Sequence, residues 1–470
     1  MRRVVSRPSF WKQAGLGVAG LCLLLAGCEP TTLISGGKKP NFVILITDDQ
    51  RADALGVINP IIQTPHMDSL AQTGVQFSNA YVTTSICCSS RASIFTGQHT
   101  ARHNVYNFRT LLSAEAMSRT YHDQLRQAGY RTAFVGKYGL GQQKPPPADH
   151  FDYWQGFMNQ GRYENTDEKG RYKHITRIIG DQALDFLDSC DGKKPFCLSV
   201  SFKAPHVQDG DPRQFIYDPA YQHLYQDVTF SPPATGDDRY WEQFPEFFRE
   251  NNEARKRWQK RFVTPELYQK MVKGYYRLVY GVDVQIGRLR QKLAEKGMAD
   301  NTVIILMGDN GFFLGEHGMA GKWFAQEESI RVPLLVYDPR LPASQRGIRN
   351  KDIALNIDIA PTVLALADVP PPIGMQGSSL APLLGGHKVV WRQDFYYEHL
   401  FDAVTIPKCE AVVSTRWKYI RYPDTDPMYE QLFDLKNDPN ETKNLVGIPK
   451  YQEQLQRMQL RFDELKTLAQ

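Results

Sequence analysis

The sequence predicts an α/β fold with a smaller antiparallel sheet at its C-terminal end, and two patterns carry the prediction. The first is a set of four continuous apolar runs at residues 41–47 (Asn-Phe-Val-Ile-Leu-Ile-Thr), 132–135, 198–202 and 303–307. Such runs suit strands buried on both faces of a largely parallel sheet. The second is a change of pattern beyond Pro370-Pro371-Pro372 and Gly385-Gly386. Short strand-like runs follow at 411–414, 419–422 and 432–435, and residues 451–468 carry Leu, Met and Phe at helical spacing. The expected organisation is a targeting segment over 1–27, a linker over 28–39, a main domain over 40–385 and a C-terminal subdomain over 386–470.

Each apolar run ends in a polar cluster. The first ends in Asp48-Asp49 and the second in Gly136-Lys137. The third ends in Lys203-Ala204-Pro205-His206 and the fourth in Gly308-Asp309-Asn310-Gly311. Ligands of open α/β sheets bind beyond the carboxyl ends of the strands. If the four runs share one parallel sheet, all four clusters meet at one edge. Asp48, Asp49, Asp309 and Asn310 would then form an all-oxygen cage suited to a hard cation, Ca²⁺ before Mg²⁺. Taken singly, each Asp or Asn pair also reads as an ordinary strand-to-loop turn; two pairs after two buried runs favour the cage.

Residues 87–97 read Cys-Cys-Ser-Ser-Arg-Ala-Ser-Ile-Phe-Thr-Gly. Ser89, Ser90 and Arg91 are expected to lead into a short helix that Gly97 stops. A Cys just before a helix N-terminus faces free backbone N–H groups, a natural place for an anion. By itself the segment reads equally as a Cys/Ser-rich turn before a buried helix.

The segment resembles the signature of the type I sulfatases, with Cys87 in the nucleophile place, Arg91 in the arginine place and Thr96-Gly97 as the closing pair. Ser89 departs from the pattern, which has Pro or Ala there. The resemblance extends from about residue 40 to 446. Gly136-Lys137-Tyr138-Gly139-Leu140-Gly141 is similar to a block whose Lys binds sulfate, although Gly139 replaces its usual His; His103 is a candidate for that duty. His206 matches a His that meets the ester oxygen, and Lys322 matches a Lys that holds sulfate and assists the leaving group. Asp48, Asp49, Asp309 and Asn310 match the metal ligands, joined by residue 87. Related zinc phosphatases have His where Asn310 stands. Arg331 and Asp358 fall in shared blocks and are expected to be structural.

The resemblance implies an alkaline-phosphatase-like three-layer sandwich and a sulfuric ester hydrolase. It implies conversion of Cys87 to formylglycine by a formylglycine-generating or anaerobic sulfatase-maturing enzyme, with Asp309 as base partner. Ca²⁺, Arg91, Lys137 and Lys322 would neutralise the sulfuryl oxygens. Cys87-Cys88 and Tyr138 are most similar to the N-acetylglucosamine-6-sulfatase and iduronate-2-sulfatase side of the family. The expected substrate is a sulfated oligo- or polysaccharide: a glycosaminoglycan, a mucin glycan, or an algal polysaccharide such as carrageenan or ulvan. Two alternatives are a phosphodiester or phosphonate monoester hydrolase of the same superfamily, and a non-catalytic glycan-binding lipoprotein if Cys87 stays unconverted.

The N-terminus carries Arg2, Arg3, Arg7 and Lys12 before an uncharged stretch over 14–27 that is too short to span a bilayer. It ends Leu25-Ala26-Gly27-Cys28, similar to a bacterial lipobox, which implies cleavage before Cys28, its lipidation, and anchoring at the outer membrane of a bacterial cell envelope. An ordinary secretory signal is the alternative. The formal charge of +5 falls to about +1 without those four cations, and no basic stripe suggests nucleic acid. Of seven cysteines, Cys190 and Cys197 could pair, and the sequence does not decide it.

Overall fold

The computed structural model describes residues 38–401 and 403–470. The targeting segment and Cys28 lie outside the described residues. Among the described residues no helix is long and apolar enough to cross a membrane.

An eight-stranded sheet forms the centre. Its strands in chain order are β1 (Asn41–Asp48), β2 (Val75–Tyr81), β3 (Arg131–Lys137), β4 (Tyr153–Phe157), β5 (Phe196–Pro205), β6 (Thr302–Gly308), β7 (Leu334–Tyr337) and β8 (Ile348–Leu355). Their spatial order is β8-β2-β7-β6-β1-β5-β3-β4. The four apolar runs became β1, β3, β5 and β6, which lie side by side and parallel. The sheet is mixed, because β7 runs antiparallel to both β6 and β2.

Strand alternation divides the core. Phe42, Ile44 and Ile46 of β1 enter one apolar cluster, and Val43 and Leu45 enter the other. Helix α1 (Cys87–Thr96) packs on the first face through Cys88, Ala92, Ile94 and Phe95. Helices α2 (Ile175–Asp188) and α4 (Pro265–Glu295) cover the second; between them in sequence lies α3 (Glu253–Arg261). Helix, sheet and helix make the expected three layers.

The C-terminal sheet is antiparallel: β9 (Asp394–His399), β10 (Cys409–Ser414), β11 (Trp417–Tyr422) and β12 (Tyr429–Asp434). One face gives Phe395, Tyr397, Ala411 and Val413 to the main core. The other gives Tyr396, Val412 and Tyr419 to a small core closed by α5 (Gln452–Ala469). Charge also ties the C-terminal sheet to the main domain: Lys418 of β11, fully buried, pairs with Glu327 in the segment before β7 and with Glu441 after β12, at 2.9 Å each. The five cysteines of the described residues are all free and buried, so Cys190 and Cys197 do not pair.

Candidate active site

The parallel register brings the ends of β1, β5, β3 and β6 to one edge, and α1 begins there. The helix starts at Cys87 itself, earlier than the expected start near Ser89; Ile86 is the extended N-cap and no side chain caps the first turn. Ser90 N–H is the first to bond back, to the Ile86 carbonyl at 2.9 Å. The amides of the first turn therefore remain available to an anion, as residue 87 heads the helix rather than preceding it. Gly97 ends α1 in the left-handed conformation (φ 66°), as the sequence predicts. Ser89 is accommodated without strain on the helix: its hydroxyl donates to the Val105 carbonyl at 2.5 Å.

Cys87 is completely buried at the centre of a polar cluster. Its Sγ lies 3.2 Å from Asp48 Oδ1 and 3.0 Å from Lys322 Nζ. Lys322 also donates to Asp49, and Lys137 donates to Asp48 and, at 2.6 Å, to Gln160 Oε1. Arg91 lies beneath. Its Nε donates to Asp309 Oδ2 at 2.8 Å, and its Nη1 donates to both the Lys137 carbonyl, at 2.6 Å, and the Ser201 hydroxyl. His206 Nδ1 is 2.7 Å from the Val207 carbonyl, which leaves Nε2 facing Asp49 Oδ2 at 3.7 Å. Asp48, Asp49, Cys87, Arg91, Lys137, His206, Asp309 and Lys322 thus converge, and Asn310 joins them by donating from Nδ2 to Asp49 Oδ1 at 2.6 Å. Gln160 and Ser201 join them and carried no recognisable signal in the sequence, since each is a lone polar residue outside any motif.

Burial would raise the Asp48 carboxyl, but Lys137, His206, Arg91 and Lys322 outweigh it and hold the group well below the usual carboxylate range. Burial and the Asp48 charge push Asp309 up to about 7, against the pull of Arg91, Lys322 and Lys137. Burial also pushes the Cys87 thiol far up, helped by Asp48, so an unmodified thiol here stays protonated and is a poor nucleophile.

Ligand atoms from Asp48, Asp49, Cys87 and His206 lie within 4.8 Å of one another. Asp49 Oδ2 and Asn310 Oδ1 are buried with no hydrogen-bond partner. Two orphaned oxygens beside crowded carboxylates fit a hard divalent cation. Asp309 stands at the rim of this set, its oxygens engaged by Arg91 and by the Asp49 amide at 3.2 Å.

Two expectations are corrected or refined here. His103 does not supply a missing catalytic His: its ring nitrogens are taken by Ser93 Oγ at 3.0 Å and the Val105 amide at 3.1 Å, in the turn after α1. At Gly139, where the family has His, the backbone sits at φ 81° and a Cβ would lie 3.0 Å from Arg91 Cδ, so a side chain there would be strained and tightly packed against Arg91. Arg331 and Asp358 are structural as expected. Arg331 ties β2 through the Ser78 carbonyl, and Asp358 accepts from Leu355 N, Ser378 N and Arg392.

The sulfatase family model matches residues 40–369, which is most of the chain. This chain belongs to the sulfatase family. A second model, the C-terminal region of N-sulphoglucosamine sulphohydrolase, matches residues 315–468. An N-acetylglucosamine-6-O-sulfatase of Bacteroides thetaiotaomicron is 30% identical over 90% of this chain and 86% of its own. The human N-acetylglucosamine-6-sulfatase is 30% identical, covering 83% of this chain and 73% of its own. A solved structure bound to D-glucosamine-2-N,6-O-disulfate superposes with a TM-score of 0.80 at 27% identity, over 92% of this chain and 98% of that one. A phosphonate monoester hydrolase from Silicibacter pomeroyi shares the fold at 22% identity, with a TM-score of 0.77 over 92% of this chain and 96% of its own. The sulfatase is a sulfuric ester hydrolase of the alkaline-phosphatase-like fold, with a buried acidic and Cys cluster of the kind that takes a divalent metal.

Proposed function

We propose that this sulfatase hydrolyses a sulfate ester on a sulfated saccharide, using residue 87 as formylglycine with Ca²⁺ beside it. The observation that carries the reading is the position of Cys87 Sγ between Lys322 Nζ and Asp48 Oδ1, with Arg91 and Lys137 in the same buried cluster. The saccharide substrate is supported by the names of the relatives, which include N-acetylglucosamine-6-sulfatases and an ulvan-active sulfatase of Formosa agariphila. Within that class a glycosaminoglycan, mucin glycan or algal polysaccharide each fits.

The cluster divides into roles. Asp48, Asp49 and residue 87, whose ligand atoms lie within 4.8 Å of one another and of His206, would hold Ca²⁺, with the orphaned Asn310 Oδ1 beside them and Asp309 at the rim; the bound ion would draw electron density from the sulfuryl oxygens. The hydrated aldehyde of a formylglycine supplies the attacking oxygen and the second hydroxyl that later expels sulfate. Asp309 is held in place by Arg91 and is the base partner for the attacking hydroxyl. Arg91 and Lys137 neutralise the sulfuryl group from below. Lys322 faces the reacting atom, where its ammonium offsets charge on the departing oxygen, and His206 Nε2 lies on the same side.

Maturation requires a formylglycine-generating or anaerobic sulfatase-maturing enzyme to accept Ser89 two places after Cys87. The lipobox-like Leu25-Ala26-Gly27-Cys28 supports a lipid-anchored protein of the bacterial envelope. The phosphonate hydrolase rival has the shared fold in its favour. Turnover of nitrophenyl sulfate against a nitrophenyl phosphonate monoester or phosphodiester separates the two, and preference for the phosphorus ester would reject the sulfatase reading.

A further inference from the structure

Helix α3 closes the excursion over residues 209–261, and its inward face carries two arginines that the catalytic cluster does not use. Arg257 lies over Trp323, its guanidinium carbon 4.9 Å from the ring centroid. Trp323 follows Lys322 directly, at φ 91° and almost fully buried, so the ring that carries Arg257 is fixed next to the residue that reaches Cys87. Arg261 lies deeper, 5.9 Å over Phe312, two residues beyond Asn310. The two arginines therefore rest on the two segments that deliver Lys322 and Asn310 to the site.

Their charges are incompletely matched. Arg257 Nε donates to Glu253 at 2.7 Å within the helix, but its nearest other carboxylate oxygen, of Asp209, is 3.7 Å from Nη1. Arg261 Nε donates to Gln214 at 2.8 Å; its Nη2 stands 3.8 Å from the same Asp209 oxygen, and its Nη1 is buried without a partner. Burial and the neighbouring Arg257 charge lower Arg261 to about 10, against the pull of Asp209, Asp49 and Glu253. One half-exposed carboxylate is thus shared by two guanidiniums and hydrogen-bonds to neither. A buried guanidinium nitrogen left open, near a second guanidinium that rests on an aromatic ring and is hydrogen-bonded through Nε, is a donor set for a planar or tetrahedral oxyanion. A purely structural pair would close its fork on protein oxygens.

Resting on the sulfatase reading, we propose that Arg257 and Arg261, with Trp323, form a second anion subsite beside the catalytic cluster. It reads a further negatively charged group, a carboxylate or a second sulfate, on the saccharide whose sulfate ester is cleaved. The subsite makes this enzyme selective for multiply anionic saccharides over singly sulfated ones.

The test compares kcat/KM on matched substrates with the full matured enzyme. One pair differs in a second anionic group on the 2-amino nitrogen, which is neutral in the first member: N-acetyl-D-glucosamine 6-sulfate against D-glucosamine-2-N,6-O-disulfate. The other differs in a carboxylate: a uronate-containing disaccharide sulfate against its carboxyl-reduced form. Wild type is expected to favour the more anionic member of at least one pair by about tenfold or more, the scale of one charge-assisted contact; which pair responds identifies the anion. Arg257→Gln and Arg261→Gln should each reduce that ratio several-fold, mainly through KM, and Arg257→Lys should restore part of it. Arg257 is partly exposed, so its variants carry the test if Arg261→Gln fails to fold. A ratio near one in wild type, or a ratio untouched by Arg257→Gln, overturns the subsite. Nitrophenyl sulfate, which has no second anion, keeps the readings apart: its turnover supports the sulfatase reading whatever the ratios are, and its failure counts against that reading instead.

Discussion

At the scale of single residues, the site is built from charges that compensate one another at close range, and each has a distinct consequence when removed. Lys322 faces Cys87 Sγ at 3.0 Å and pairs with Asp49. A sugar alkoxide is a poor leaving group and depends on a cation there; a nitrophenolate depends on it much less. Lys322→Ala is therefore expected to lower kcat on a saccharide sulfate by roughly 10²-fold or more, with a distinctly smaller loss on nitrophenyl sulfate. Arg91→Ala should cost both substrates alike, because Arg91 acts on the sulfuryl side through Asp309 and Lys137. Steady-state kcat and kcat/KM on the two substrates check this, and equal losses for Lys322→Ala would reduce it to a sulfate clamp. Metal content is the second residue-scale outcome. One calcium per chain is the expectation from an oxygen-rich set with two orphaned oxygens, Asp49 Oδ2 and Asn310 Oδ1. Asn310→Ala should lose most of that calcium in elemental analysis of the purified protein, whereas stoichiometric zinc in the wild type would contradict the assignment.

Elements place these residues, and strand ends do most of the placing. Gly136 stands one residue before Lys137 at φ 93°, and a Cβ there would run into the Ser201 carbonyl of the neighbouring strand β5. Gly136→Ala is expected to cost at least about 1 kcal/mol of stability and to lower activity by displacing Lys137, read as a fall in the denaturation midpoint with reduced turnover. What the sequence revealed at this scale follows from what is local. Apolar runs ending in Asp48-Asp49 and Asp309-Asn310 are legible because burial on both faces and strand-end polarity are written in adjacent residues. The start of α1 was misplaced by about two residues because Ile86 caps the helix through backbone conformation alone, with no Ser, Thr, Asp or Asn side chain bonded as a cap. Gln160 and Ser201 were invisible for a different reason: each matters only through a partner tens of residues away, Lys137 and Arg91 respectively. His103 is a candidate only as a substitute for the family's His that Gly139 replaces, and the fold turns it toward Ser93 and Val105 instead.

Over the whole molecule, the C-terminal sheet is a support for the catalytic domain. It contributes one face to the main core and inserts Lys418 between Glu327 and Glu441. Lys418 is fully buried, so Lys418→Met leaves two carboxylates without their cation and should destabilise the fold by about 3–5 kcal/mol, the cost of breaking a buried pair from one side. Chemical denaturation measures it, and a change below about 1 kcal/mol would show that the ion pairs contribute little. The antiparallel topology of that sheet and the mixed character of the main one differ in legibility. Short alternating runs announced the former, while the antiparallel insertion of β7 between β6 and β2 depends on long-range pairing that no local pattern encodes. The buried charges of Asp48, Lys322, Lys137 and Arg91 are gathered about residue 87, and the chemistry of the site depends on what that residue becomes. Its most direct test is the mass of the Cys87 peptide from protein expressed with a maturing enzyme, measured alongside sulfate release. The expected result is the aldehyde residue or its hydrate at position 87, Cys88 unchanged, and turnover that rises with the converted fraction and vanishes in Cys87→Ala. Turnover by protein whose residue 87 is wholly unmodified cysteine, or retained by Cys87→Ala, would contradict the account.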